Sequence, residues 1–289
     1  MNIAIVTGAS SGMGKAFVKH LASEEDARLG APYDEIWMIA RSRDKLESLK
    51  EEICGTKTES SGTKTSAVSD SSARKALLRV VSLDLTDPSS ISVLSDMLAS
   101  EKPTIRLLIN CAGMGRNGAF AEQTKEDTHS AITLNCGALS ELTNICLPYM
   151  IPAAASLSKQ EAPRILNIAS SAGFLPQPGY AVYAATKSYV ISFSRALSEE
   201  LRGKNITVTC VCPGPCDTDF IKLSKNDPNA TFTGIKARFV TTTDKLIPAS
   251  LKATKKGKSM LVYGLGQKAL HVASKILPTR LILFFERGV

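Results

Sequence analysis

Six short apolar runs set the rhythm of the chain: residues 3–7, 35–40, 78–83, 106–110, 165–169 and 206–211. They are nearly continuously apolar rather than alternating, the pattern of strands buried on both faces of a parallel sheet. Longer stretches with helical periodicity lie between them, at 13–23, 43–53, 88–99, 127–150 and 181–202. Strand and helix in strict alternation predict an α/β fold, a doubly wound Rossmann-type parallel sheet with right-handed crossovers.

Three stretches interrupt this pattern. Residues 24–34 lengthen the connection before the second strand, and 153–163 extend the turn ahead of the fifth. Residues 55–76, rich in Ser, Thr and Lys, read as a low-complexity surface loop. Beyond the sixth strand a helix is expected at 243–255 and a short strand at 259–263. Residues 1–263 then form one domain, and 264–289 a helical C-terminal extension. The extension contains Gln267 to Leu277, Pro278 and the apolar Leu281-Ile282-Leu283-Phe284-Phe285. No window in it reaches the ~20 apolar residues of a membrane span. Three readings stay open for it: packing on the domain, packing on a partner subunit, or lying in a membrane interface.

At 289 residues and 44% hydrophobic, the chain has enough apolar material for one large core. It opens on Met1-Asn2-Ile3-Ala4 without the basic segment and cleavage site of a secretory signal, so a cytoplasmic location, with peripheral membrane contact as a variant, is expected. The seven cysteines are expected to be reduced, buried and inert. Cys210-Val211-Cys212 has poor zinc spacing and only three histidines are present, so no metal site is expected. The net charge of +8 comes from lysines and arginines after residue 244, without interleaved aromatics. Nucleic acid is not an expected partner, and a solvated basic face is the simplest reading.

Thr7-Gly8-Ala9-Ser10-Ser11-Gly12-Met13-Gly14 follows the first strand and opens the first helix. A pyrophosphate needs close backbone approach and N–H donors at a helix N-terminus. Gly8 permits the turn, Gly12 leaves room for phosphate and Gly14 lets helix and sheet pack; Ser10, Ser11 and Met13 complete the candidate cradle. The second strand ends Ala40-Arg41-Ser42, with no carboxylate to receive ribose hydroxyls. Arg41 suits a 2′-phosphate instead, which favours NADP(H) as cofactor, with NAD(H) as the alternative. Asp84-Leu85 after the third strand is expected beside the adenine. Asn110, Ala112 and Gly113 after the fourth are expected along the adenosine.

Tyr183 and Lys187 stand four apart in a helical pattern, so phenol and ammonium share a face. A neighbouring cation favours the phenolate and lowers a pKa otherwise near ~10. Ser170 closes the fifth strand thirteen residues upstream of Tyr183. Together with TGxxxGxG, NxAG and PGxxxT, in that order along the chain, these residues resemble the short-chain dehydrogenase/reductase family from residue 1 to about 263. The tail resembles that of a poorly characterised bacterial branch. The resemblance implies an oxidoreductase interconverting a carbonyl and a secondary alcohol. Tyr183 is then the proton donor, Lys187 lowers the tyrosine pKa and bonds the nicotinamide ribose, and Ser170 orients the carbonyl. It further implies that Asn135 holds a water of the proton relay, and that Pro213, Gly214 and Thr218 of PGxxxT meet the nicotinamide carboxamide. Tyr180 lacks a lysine four residues on and is expected to line the pocket, with Phe174, Leu175, Phe220, Phe232 and Phe239. These apolar residues suggest a lipid-like or cyclic substrate, a hydroxysteroid or a 3-oxoacyl thioester. The remaining expected partners are further copies of the chain. A regulatory protein that binds the dinucleotide without turnover, or a membrane-associated scaffold, is the competing reading.

Overall fold

A computed structural model describes residues 1–23, 33–55 and 76–286. Seven parallel strands form one sheet: β1 (Asn2–Thr7), β2 (Glu35–Ala40), β3 (Leu77–Ser82), β4 (Thr104–Asn110), β5 (Arg164–Ile168), β6 (Thr207–Cys212) and β7 (Met260–Val262). Their spatial order is β3-β2-β1-β4-β5-β6-β7. The main helices are α1 (Gly12–Leu21), α2 (Arg43–Gly55), α3 (Pro88–Glu101), α4 (Lys125–Ile132), α5 (Leu139–Cys146), α6 (Ala181–Glu200), α7 (Phe220–Lys225), α8 (Thr243–Lys255), α9 (Leu265–Ile276) and α10 (Thr279–Glu286). The expected doubly wound Rossmann-type sheet is therefore present. Of the interrupting stretches, 24–32 and 56–75 lie outside the described residues.

The continuous apolar strands are explained by burial on both faces. Ile3, Ile5, Trp37 and Ile39 enter one core layer with Leu94 and Leu98 of α3 and Leu142 of α5. Ala4, Val6, Ile36 and Met38 enter the other, with Phe17 and Val18 of α1 and Leu46 of α2. Alternate residues of one strand thus feed opposite layers.

Two irregularities interrupt the regular pattern. Between β1 and β4 the register slips, Ile3 pairing with Ile105 but Ala4 with Leu107. Arg106 is the extra residue, and its guanidinium donates to the Glu161 carbonyl in the connection before β5. The second irregularity replaces the single helix expected over 127–150. A π-helical stretch, Thr133–Ala138, separates α4 from α5. Single-turn π segments inside helices recur at functional sites because they displace one residue outward.

Candidate active site

Chain order reverses at β1 and β4, so the connections leaving their carboxyl ends part in opposite directions and leave a crevice, the ligand position in open α/β sheets. Thr7, buried at the end of β1, ties the two ends together. Its Oγ1 accepts from the N–H groups of Cys111 and Ala112, both at 3.0 Å. Gly8 and Gly12 adopt φ of +67° and +49°, a region costly for side-chain-bearing residues. A Cβ on Gly14 would lie 2.1 Å from the Gly8 carbonyl oxygen, so no other residue fits there. A Cβ on Gly12 would touch Thr218 at 3.4 Å, which brings the PGxxxT threonine against the glycine turn. Ser11 caps α1 without using its side chain, and no acid stands in the first turn. Ser10, Ser11 and Met13 surround the turn, each partly buried. Backbone donors, a positive helix end and walls made of glycine fit a dinucleotide pyrophosphate.

At the adenosine side, Arg41 and Asp84 stand across from each other, Nη1 and Oδ2 3.9 Å apart, with the Arg41 side chain largely exposed. The Asp84 Oδ1 accepts from the N–H and hydroxyl of Thr86 at 2.9 and 2.7 Å, which fixes the carboxylate. Leu85 turns its side chain into the core, leaving only its backbone for a ligand. The Asn110 side chain also points inward, so only its backbone is left for the adenosine. Its Nδ2 donates to Thr143 Oγ1 at 3.0 Å and Asn167 Oδ1 at 2.9 Å. Asn167 in turn donates to Ser194 at 2.9 Å, so the amide belongs to a buried polar chain joining β4, β5, α5 and α6.

The chemical end is built around residues 113–115. A Cβ on Gly113 would meet Asn135 Oδ1 at 3.2 Å and Lys187 Nζ at 3.3 Å; one on Gly115 would meet the Tyr183 ring at 2.7 Å. Asn135 accepts from Met114 N–H at 2.9 Å, donates to the Met114 carbonyl at 2.8 Å, and donates to Thr186 Oγ1 at 2.9 Å. Every polar atom of that side chain is taken by protein. Lys187, on α6 and buried, donates to the Ile168 carbonyl at 2.9 Å and lies 5.7 Å from the Tyr183 ring centroid. Ser170 opens a short 3-10 turn (Ser171–Phe174), accepting from Ala172 N–H at 3.1 Å. Burial pushes the Tyr183 phenol up to about 12, a Ser170 hydrogen bond opposes the rise and Tyr180 adds to it. Burial also holds the Lys187 ammonium below the ordinary lysine range. In this geometry desolvation outweighs the lowering expected from the lysine.

The expected pocket aromatics divide. Phe220 leans on Tyr183 with centroids 5.1 Å apart, and Tyr180 meets its edge at 5.9 Å. Tyr180 also shares a hydrogen bond with Ser224 at 3.1 Å. Phe174 instead meets His271 of α9 at a tilt of 46°, ring centroids 4.4 Å apart, and Phe239 lies against Gly266. Those two face the C-terminal helix. The extension also reaches the PGxxxT loop: a Cβ on Gly214 would sit 2.5 Å from the amide nitrogen of the buried Gln267. Pro213 contributes its carbonyl to Ser171 N–H at 2.8 Å, which couples this loop to the serine turn. A mostly apolar groove of about 460 Å³, lined by Phe174, Leu175, Pro176, Ala184, Ala185 and Leu283 among others, runs along the outer side of that turn.

Sequence reasoning assigned no role to Thr7, Thr186, Gly115 or Gln267. A buried hydroxyl directly before the glycine turn was the available signal for Thr7. The other three act through contacts that only the fold creates. The thiols are unbridged; Cys54 is exposed, contrary to the expectation that all are buried. Among the described residues no cluster of His, Cys, Asp and Glu is arranged to hold a metal ion.

The family model for short chain dehydrogenase matches residues 2–229, and the chain belongs to that family. It is an oxidoreductase of the carbonyl/alcohol type. It is 31% identical over 249 residues to the 3-oxoacyl-(acyl-carrier-protein) reductase of Chlamydia muridarum, covering 86% of this chain and 88% of that protein. The corresponding reductase of Escherichia coli is 29% identical over 230 residues, 79% of each chain. A short-chain dehydrogenase from Sphingobium yanoikuyae in complex with NADPH has a similar structure, with a TM-score of 0.72 at 25% identity over 95% of this chain and 94% of that one.

Proposed function

We propose that this oxidoreductase reduces a 3-oxoacyl thioester at the expense of NADPH. The reading is carried by one observation: Asn135, Tyr183 and Lys187 converge on the three-residue segment 113–115 at the crevice beyond β1 and β4. Gly8, Gly12, Gly14 and the N-terminus of α1 would hold the pyrophosphate, Arg41 the 2′-phosphate, and Thr218 and Lys187 the nicotinamide half. The dinucleotide supplies the hydride when bound.

Ser170 and Tyr183 orient the substrate oxygen, and the phenol, whose burial favours its protonated form, gives the proton. Lys187 returns it to Tyr183, its ammonium already oriented by the Ile168 carbonyl. Both N–H donors of the Asn135 amide are spent on Met114 and Thr186, so a relay water at this residue would donate to an oxygen, the Oδ1 or the main-chain carbonyl in the π stretch. Phe220 and Tyr180 shield the phenol and give an acyl chain an apolar wall. The NADPH assignment is supported by Arg41 where a carboxylate would serve NAD. The acyl-thioester assignment is supported by the named activity of the Chlamydia and Escherichia relatives.

The test is a cofactor-oxidation screen with acyl thioesters, ketosteroids and simple ketones, run in parallel with NADPH and NADH. Turnover of 3-oxoacyl thioesters with NADPH supports the proposal. Turnover confined to ketosteroids, or equal use of both cofactors, overturns its substrate or its cofactor part respectively.

A further inference from the structure

Helix α9 is turned inside out. Toward the domain it presents Gln267 against Gly214, His271 against Phe174, and Ser274, whose hydroxyl donates to the His271 carbonyl at 2.7 Å. Toward solvent it presents Leu265, Val272 and Ile276, 83%, 55% and 72% exposed, with Ala269 also exposed between them. At 100° per residue these four fall within an arc of about 60°. Lys268 and Lys275, both exposed, run along one flank of that stripe. Leu277, exposed Arg280 and Leu281 continue the surface into α10.

The charge of the region is one-sided. From residue 245 onward nine cations (Lys245, Lys252, Lys255, Lys256, Lys258, Lys268, Lys275, Arg280 and Arg287) stand against one acid, Glu286. An apolar stripe edged by lysines, on a helix that turns Gln267 and His271 toward its own domain, has the composition of an interfacial helix. Lysine stems lie along the apolar surface while their ammonium groups reach anionic headgroups. A second copy fits less well. An antiparallel two-fold contact through one helix would set the lysine flank of one copy beside that of the other, a like-charge juxtaposition. Among the described residues no helix is long and apolar enough to cross a membrane, so the contact is with the surface.

We infer that the outer face of α9, continued into α10, docks the enzyme on an anionic lipid surface. The inference stands apart from the substrate proposed above. It is tested by flotation of the full-length chain with vesicles of phosphatidylcholine alone or with 30% phosphatidylglycerol. Wild type should float with the anionic vesicles and stay behind with the neutral ones. Raising salt from 50 to 500 mM should weaken binding about tenfold. Val272→Asp with Ile276→Asp, both exposed and clear of the Gln267 and His271 contacts, should abolish flotation with the melting temperature unchanged. Lys268→Glu with Lys275→Glu should weaken it about tenfold or more. Failure of wild type to float, or undiminished flotation of the double aspartate variant, overturns the inference. So does a wild-type dimer that the double aspartate variant dissociates in the absence of lipid.

Discussion

The Asn135 carboxamide clasps both main-chain polar groups of Met114, accepting from its N–H at 2.9 Å and donating to its carbonyl at 2.8 Å. Met114 sits between Gly113, which faces Lys187, and Gly115, which carries the Tyr183 ring. The clasp therefore sets the spacing of the groups proposed to move the proton. Its removal takes the partner from the partly buried N–H and carbonyl of Met114. Asn135→Ala should lower kcat by about 100-fold through misplacement, with KM for NADPH changed less than about threefold. Steady-state kinetics separate the two parameters, and an equal rise in KM would mark a general loss of structure instead.

Arg41 is the proposed 2′-phosphate ligand, with its guanidinium largely exposed and Asp84 as a loose partner at 3.9 Å. Arg41→Ala should raise KM for NADPH by about 10- to 100-fold, the worth of a charge-assisted hydrogen bond, and leave KM for NADH within about twofold. A parallel loss with both cofactors would remove Arg41 from its role.

The glycine turn allows a steric prediction. A methyl group on Gly14 would lie 2.1 Å from the Gly8 carbonyl oxygen, and neither partner is a side chain that can swing aside. Gly14→Ala should weaken NADPH binding more than about tenfold and lower the melting temperature by several degrees. Calorimetric titration and a thermal melt read the two effects.

The pH dependence follows from the direction of the Tyr183 shift. Burial pushes the phenol up to about 12, so the proton needed for reduction stays bound well past neutrality. For reduction, kcat/KM should be flat from about pH 6 to about 10 and fall only as the pH approaches about 12. For alcohol oxidation, which needs the deprotonated form, the rate should climb with pH over the same interval. A reductive rate that drops tenfold between about pH 7 and 8 would assign the proton to another group.

The strands, their parallel order and the glycine turn were legible because apolar runs buried on two faces leave an unmistakable pattern. Tyr183, Lys187 and Ser170 were legible because helix periodicity and strand ends position them locally. The π stretch was not, since Ala131 to Leu139 has the apolar spacing of an ordinary helix, and the wider turn is stabilised by tertiary contacts such as Asn135 with Met114. The inward turn of Asn110 was hidden for a related reason. In a strand buried on both sides parity does not mark direction, and the slip at Arg106 shifts it again. The seating of Gln267 on Gly214 joins residues more than fifty positions apart, through contacts invisible to any local pattern.

The most direct measurement is the rate of NADPH oxidation with a 3-oxoacyl thioester by wild type and Tyr183→Phe, paired with NADPH affinity by fluorescence titration. Loss of the phenol hydroxyl should cut turnover by about 10² to 10⁴, the range of general acid catalysis, with affinity changed less than twofold. Equal rates in the two proteins, or a rate lost only in step with cofactor affinity, would contradict the assignment of Tyr183 as the acid.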